Sequence, residues 1–165
     1  SEIGYKILYC GKIGNASTLK VVTNFLASIN LLSIGEALIV CKKYGLDLET
    51  SYHAIKISSG NSFVHETEGQ LILNGSFNAG FSMGLVCKDL GLFKKLIKKF
   101  KISPIFSSLI SDYFQKGKEK YGNNAYSTGI IKLIEEKNNE LIRGNNFPKE
   151  LIDYNDRKKG IEIKF

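Results

Sequence analysis

The feature that most constrains this fold is an apolar stretch at residues 15–44. It contains no proline and one glycine, Gly35, and within residues 16–41 its only charged side chains are Lys20 and Glu36. At 1.5 Å per residue, the stretch predicts a helix of roughly 45 Å that is buried on most sides. A membrane span needs about 20 predominantly apolar residues, and polar side chains interrupt this stretch too often for one. The sequence therefore favours the central helix of an all-α core or of a subunit interface.

The rest of the chain predicts shorter helices, separated by Gly, Asn, Ser and Pro. The turn at residues 45–47 ends the long helix and caps the next one, because Gly accepts a left-handed backbone and Asp47 accepts hydrogen bonds. We expect an all-α helical bundle around one long helix, preceded by a short strand or extended segment at residues 3–10. The other predicted helices lie at residues 48–57, 63–73, 85–100, 104–120 and 128–141.

Composition indicates one globular domain with a basic surface. The chain has 165 residues, 43% hydrophobic and 24% charged, which excludes disordered, collagen-like and disulfide-stapled classes. The formal charge of +7 comes almost entirely from lysine, whereas nucleic-acid readers favour arginine. We expect neither nucleic acid nor membrane as a partner. A basic nucleic-acid-binding domain remains an alternative, and salt-sensitive retention on heparin or DNA would support it. The densest cluster has the spacing of a solvated helical stripe: Lys94, Lys95, Lys98, Lys99 and Lys101.

Cysteine and histidine usage predicts no disulfide framework and no metal site. Cys10, Cys41 and Cys87 are odd in number and form no C-x-x-C motif, which favours a reducing, cytoplasmic compartment. The first residues also lack the pattern of a signal peptide. His53 and His65 are isolated from other metal ligands.

Lys20 is unusual because it is a charged residue near the start of an otherwise apolar helix. A lysine near the helix N-terminus, in poorly hydrated surroundings, is disfavoured as an ammonium and can exchange protons near neutral pH. Asn24 and Ser28 follow at four-residue intervals, so the three side chains share one face. From periodicity alone, the favoured explanation is a lysine that reaches to solvent beside a satisfied buried amide.

A longer motif surrounds this lysine. Residues 11–24 read GKIGNASTLKVVTN and resemble the G-x-x-G-x-G/A-x-x-x-K-x-x-x-N signature of the β-hydroxyacid dehydrogenases, which include 3-hydroxyisobutyrate dehydrogenase and the semialdehyde reductases. The resemblance covers about residues 5–140. It continues through Glu36-Ala37, Gly45-Leu46-Asp47, Ser58-Ser59-Gly60, Phe81, Lys88-Asp89-Leu90-Gly91-Leu92, Pro104-Ile105 and Tyr126-Ser127.

The resemblance implies a role for five side chains. Lys20 would be the catalytic acid/base, and Asn24 would orient it and the substrate. Phe81 and Asp89 would line the substrate site, and Lys88 would contact a bound NAD or NADP. The alternatives are that Phe81 belongs to the core and that Asp89 only stabilises the start of a helix.

The resemblance also implies that a dinucleotide-binding half is missing from these residues. No G-x-G-x-x-G motif occurs. We therefore expect residues 1–14 to be the end of a Rossmann domain and its linker, 15–142 a helical catalytic and dimerisation domain, and 143–165 a C-terminal tail. The implied fold is the C-terminal domain of a 6-phosphogluconate/3-hydroxyisobutyrate dehydrogenase-like enzyme.

Two functions follow from these expectations. The first is that of an NAD(P)-dependent oxidoreductase acting on a small hydroxy acid or semialdehyde, with the 165 residues inactive alone. The alternative is a helical dimerisation module without activity of its own. In both, the chain forms a homodimer or a higher homo-oligomer.

Overall fold

The apolar stretch forms one helix, α1 (Asn15–Tyr44), in the computed structural model, which describes residues 6–151 and 161–163. It has the predicted bounds. Gly45 ends it in the left-handed conformation (φ 86°), and its N–H donates to the carbonyl of Lys42 at 3.0 Å. Asp47 then caps the next helix by accepting from the Thr50 N–H at 2.7 Å, and this hydrogen bond lowers the pKa of Asp47.

The remaining elements complete an all-α bundle, as predicted. Strand β1 (Lys6–Leu8) precedes α1 and pairs in parallel with β2 (Ile161–Ile163), with Lys6 opposite Ile161. A short 3-10 helix, Ser127–Ile130, leads into the last helix. The helices after α1 are α2 (Leu48–Lys56), α3 (Phe63–Glu66), α4 (Glu68–Asn74), α5 (Met83–Lys99), α6 (Ser107–Tyr121) and α7 (Ile131–Asn138).

The core lies between α1 and the helices packed on one of its faces. Leu38 on α1 and Phe114 on α6 are fully buried there. A Cβ on Gly35 would lie 2.7 Å from Cδ1 of Ile131 and 2.9 Å from Cδ1 of Ile134. Gly35 therefore lets α7 approach the backbone of α1 closely, which a larger side chain would prevent without repacking.

The expectation that α1 is buried on most sides is wrong for the described structure. Residues 15–20 are exposed, and so are Leu26 and Val40 farther along the helix. The buried residues of α1 recur at helical spacing, so the fully buried surface of this helix is confined to one face: Ser28, Leu31, Ile34, Gly35, Leu38 and Ile39. By length and composition α1 could also cross a membrane, a test that core helices of soluble proteins and signal sequences pass as well.

Several predicted helix bounds differ from the structure. The helix expected at residues 128–141 starts as the 3-10 helix and ends three residues early, at Asn138. The helix expected at residues 63–73 breaks at Thr67, and α5 begins two residues early because the Ser82 hydroxyl accepts from the Leu85 N–H at 3.3 Å. Pro104 does not open α6. It lies in the connection that follows Lys101, whose left-handed backbone (φ 54°) turns the chain after α5, and α6 begins three residues after the proline.

The residues after α7 contact the bundle. Arg143 donates to the buried carboxylate of Glu135 at 2.5 Å, and the same oxygen accepts from the Ile142 N–H at 2.8 Å. The side-chain amide of Asn74 donates to the Phe147 carbonyl at 2.9 Å. The predicted boundaries at residues 14 and 142 remain predictions, and residues 152–160 and 164–165 of the predicted tail lie outside the described residues.

Candidate active site

Two side chains of α1 converge on one carboxylate of α5. The Lys20 ammonium lies 2.6 Å from Oδ2 of Asp89, and the side-chain amide of Asn24 donates to the same oxygen at 2.5 Å. Lys20 and Asn24 are four residues apart, so the helical repeat places both on one face of α1. Ser28 lies one turn farther on and donates to the Asn24 carbonyl at 2.9 Å.

Lys88 completes the cluster around Asp89. Its ammonium lies 3.1 Å from Oδ1, so both oxygens of the carboxylate have a cationic partner. The Asp89 side chain is only 3% exposed, whereas those of Lys20 and Lys88 are 54% and 57% exposed. The poorly hydrated setting expected for Lys20 is therefore wrong for the described structure.

The environment of Asp89 keeps the carboxylate ionised. Burial acts to raise its pKa, but hydrogen bonds from Lys20, Asn24 and Lys88 outweigh burial and lower the pKa below its usual value. A carboxylate with three donors is fixed in position. Asp89 therefore holds Lys20 and Asn24 in a defined arrangement, as a positioning group would.

Asp89→Asn should destabilise the chain in a pH-dependent way. Because the pKa of Asp89 is lower folded than unfolded, ionisation stabilises the fold above the unfolded value of about 3.9, and this stabilisation is lost as pH falls through the folded pKa. Lys20 and Lys88 are half exposed, so we expect a loss of about 1 kcal/mol near pH 7 that disappears in acid. Urea unfolding of both proteins between pH 2 and 7 measures it. A loss that is constant across this range would contradict the assignment.

The cluster borders a cavity of about 330 Å³. Phe81, from the loop before α5, lies in its wall, where the sequence placed a substrate-lining aromatic side chain. Lys88 does not contribute to the wall. The lining residues are Lys20, Asn24, Ala27, Ser28, Leu31, Glu68, Phe81, Val86, Asp89, Phe114 and Ser127.

Glu68 is a titratable lining residue that the sequence analysis did not select. It begins α4, and burial raises the pKa of its carboxyl to about 7. Sequence reasoning missed it because a single glutamate in a weakly periodic segment is typical of an exposed helix start. No motif or spacing distinguishes it.

The structure brings together all five residues that the sequence selected. Lys20, Asn24, Lys88 and Asp89 form one cluster, although 64 residues separate Asn24 from Lys88 (88 − 24). Phe81 shares the cavity wall with three of them. Their individual roles in catalysis and binding remain predictions.

Comparison with known proteins identifies the family. Residues 14–134 match a family profile described as the NAD-binding part of NADP-dependent 3-hydroxyisobutyrate dehydrogenase. This chain belongs to the 3-hydroxyisobutyrate dehydrogenase family. The resemblance inferred from the sequence is thereby confirmed, and so is the expectation that the family's cofactor is NAD or NADP.

Two relatives show how much of a family member the chain represents. It is 31% identical over 145 residues to 2-(hydroxymethyl)glutarate dehydrogenase of Eubacterium barkeri, covering 87% of this chain and 48% of that protein. It is 25% identical over 143 residues to mitochondrial 3-hydroxyisobutyrate dehydrogenase of Rattus norvegicus, covering 82% of this chain and 43% of that one. The chain thus spans slightly under half the length of these relatives.

Solved structures show the same fold. A Mycobacterium tuberculosis 3-hydroxyisobutyrate dehydrogenase structure with L-serine aligns at a TM-score of 0.67 and 25% identity, covering 75% of this chain and 45% of that one. A Salmonella typhimurium 3-hydroxyisobutyrate dehydrogenase also aligns at 0.67, with 22% identity, and covers 73% and 42% of the two chains. The helical bundle is therefore a fold found in dehydrogenases of this family.

Proposed function

We propose that this chain supplies the catalytic lysine of an NAD(P)-dependent 3-hydroxyacid dehydrogenase or semialdehyde reductase. The observation that carries the proposal is the convergence of Lys20 and Asn24 on buried Asp89 beside a cavity, in a chain of this family. An exposed ammonium held by a fixed carboxylate can be aimed at a substrate oxygen. The substrate would be a small hydroxy acid or its semialdehyde.

Lys20 would move the proton of the substrate hydroxyl. In oxidation its neutral amine accepts this proton, and in reduction its ammonium polarises and then protonates the carbonyl. Asn24 would orient Lys20 and the substrate, and Asp89 would fix both side chains. When bound, NAD or NADP exchanges the hydride with the substrate carbon.

The described residues fit one edge of a dinucleotide site. Lys88 presents an exposed ammonium beside the cluster, which suits a polar or anionic group of the cofactor. The phosphate-binding glycine motif does not occur in the 165 residues. Most of the cofactor contacts would therefore come from a Rossmann half, with this chain as the helical C-terminal half.

A dehydrogenase assay tests the proposal. The full-length protein, meaning this chain joined to its dinucleotide-binding half, should reduce NAD or NADP with short 3-hydroxy acids and oxidise the reduced cofactor with semialdehydes. Absorbance at the nicotinamide band measures both directions. Lack of turnover with every member of such a panel would refute the function.

Dimerisation is a second proposed property of the chain. Leu19, Leu26 and Val40 leave apolar surface exposed along α1, which favours burial against another copy. We expect a dimer or larger assembly in analytical ultracentrifugation at concentrations on the order of tens of micromolar. A clean monomer there would count against it. If dimerisation were found without any turnover, the alternative of a pure dimerisation module would be favoured.

A cytoplasmic location is also proposed. Cys10, Cys41 and Cys87 are free thiols within the part of the chain that the structure describes. Free thiols of this kind are typical of reducing compartments.

A further inference from the structure

The cavity beside Lys20 contains a second carboxyl group, on Glu68. This residue starts α4, while Lys20 and Asn24 come from α1 and Asp89 from α5, so four side chains from three helices share one wall. Glu68 is partly buried. Its position in the wall makes it accessible to a molecule bound in the cavity.

The two carboxyl groups of the cavity differ in their partners. Asp89 accepts from three side chains. Among residues 6–151 and 161–163, by contrast, no donor is hydrogen-bonded to Glu68 and no cation is paired with it. A carboxyl group that is partly withdrawn from water without a donor is destabilised, and a ligand that supplies a donor removes this cost.

The other residues of the cavity wall provide few polar or cationic partners for the Glu68 carboxyl. The charged groups that share the cavity are Lys20 and Asp89, and these two already bind each other. Apolar side chains form most of the remaining surface, namely Ala27, Leu31, Phe81, Val86 and Phe114. Burial accordingly raises the pKa of Glu68 to about 7, so the group changes charge in the neutral range.

We propose that Glu68 is a specificity-determining residue for the substituent on C2 of the 3-hydroxy acid. It favours a C2 substituent that donates a hydrogen bond and disfavours one that carries a second carboxylate. The inference rests on the proposed function and goes beyond it. A hydroxyl or ammonium substituent would satisfy the Glu68 carboxyl, whereas a second carboxylate would meet a like charge in poorly hydrated surroundings. An apolar substituent would leave Glu68 unsatisfied.

Three substrates with a common HOCH₂–CH(R)–COO⁻ frame isolate this effect. Their R groups are methyl (3-hydroxyisobutyrate), hydroxyl (glycerate) and carboxyethyl (2-(hydroxymethyl)glutarate). We expect Glu68→Gln to raise kcat/KM for the carboxyethyl substrate, relative to the methyl one, by about 10-fold at pH 8, where Glu68 is ionised. Glu68→Leu should lower the hydroxyl-to-methyl ratio by about 10-fold.

The pH dependence provides a second signature. In the wild type, the disadvantage of the carboxyethyl substrate should grow as pH rises from 6 to 8, because Glu68 gains negative charge over that range. Glu68→Gln should abolish this trend. Glu119→Gln, which removes an exposed carboxylate on α6, is the matched control and should leave all three substrates unchanged.

A spectroscopic measurement covers the case in which the variants do not fold. With ¹³C-labelled glutamate in the full-length wild type, the Glu68 carboxyl signal should shift when glycerate is added and remain in place with 3-hydroxyisobutyrate. Unchanged substrate ratios in folded Glu68 variants, or no glycerate-dependent shift, would overturn the inference while leaving the proposed function intact. A wild type that turns over none of the three substrates would overturn both.

Discussion

Lys20→Ala should lower kcat of the full-length protein by at least about 10²-fold and by up to about 10⁴-fold, the usual contribution of a general acid/base. The Lys20 ammonium is half exposed, borders the cavity and lies 2.6 Å from Oδ2 of Asp89, the oxygen that also accepts from the side-chain amide of Asn24. Its removal would delete the proposed proton relay. Dinucleotide binding should be largely retained, because the Rossmann half would provide most of it.

Lys20→Arg separates the charge of this residue from its proton transfer. Arginine can keep an ion pair with Asp89 but remains protonated at any pH used for an assay. We therefore expect Lys20→Arg to fold normally and to lose nearly as much turnover as Lys20→Ala. Asn24→Ala should cause a smaller loss, since the role proposed for the amide is to orient Lys20 and not to exchange a proton.

Steady-state kinetics and cofactor titration on the same preparations measure these effects. Lys95→Ala, which removes an exposed lysine from α5, is the matched control and should retain the wild-type turnover. Wild-type turnover in Lys20→Ala would refute the assignment of the catalytic lysine. Equal losses of turnover and of cofactor affinity would instead assign Lys20 to binding.

Periodicity predicted the parts of the fold that local chemistry determines. The bounds of α1 follow from an unbroken apolar repeat that ends at Gly45, and the start of α2 follows from the capping carboxylate of Asp47. Pro104 misled the prediction of α6, because a proline fits equally well in a connection or at a helix start. Lys101 adopts a left-handed backbone just after α5, and a lysine at that position does not indicate such a turn in the sequence.

The candidate site likewise has a part that local sequence predicts and a part that depends on tertiary packing. The four-residue spacing of Lys20 and Asn24 is visible in the sequence, but their approach to Asp89 depends on the packing of α5 against α1, and the family resemblance was needed to predict it. Burial was the least predictable property. The exposure of Lys20 and the position of Glu68 both depend on which side of α1 the other helices cover.

The second large effect concerns the 165 residues alone, which should fold, bind NAD and NADP weakly and show no dehydrogenase activity. The helices bury one another around Leu38 and Phe114, so the core does not require an additional sheet. Tight dinucleotide binding requires backbone N–H groups aimed at the pyrophosphate, usually from a glycine-rich turn at a helix start. None of the 16 glycines is followed two residues later by another.

Lys88 cannot replace that turn. It offers one half-exposed ammonium, already shared with Asp89, and an exposed ionic contact of this kind contributes little in water. We therefore expect dissociation constants in the millimolar range or weaker, an order-of-magnitude value, by calorimetry with each cofactor. The same preparation should give no absorbance change with 3-hydroxy acids or semialdehydes, while the full-length protein provides the positive control. If the isolated chain bound either cofactor at low micromolar concentration, its helical bundle would have to contain a nucleotide site of its own. The proposal that a separate Rossmann half binds the cofactor would then be wrong.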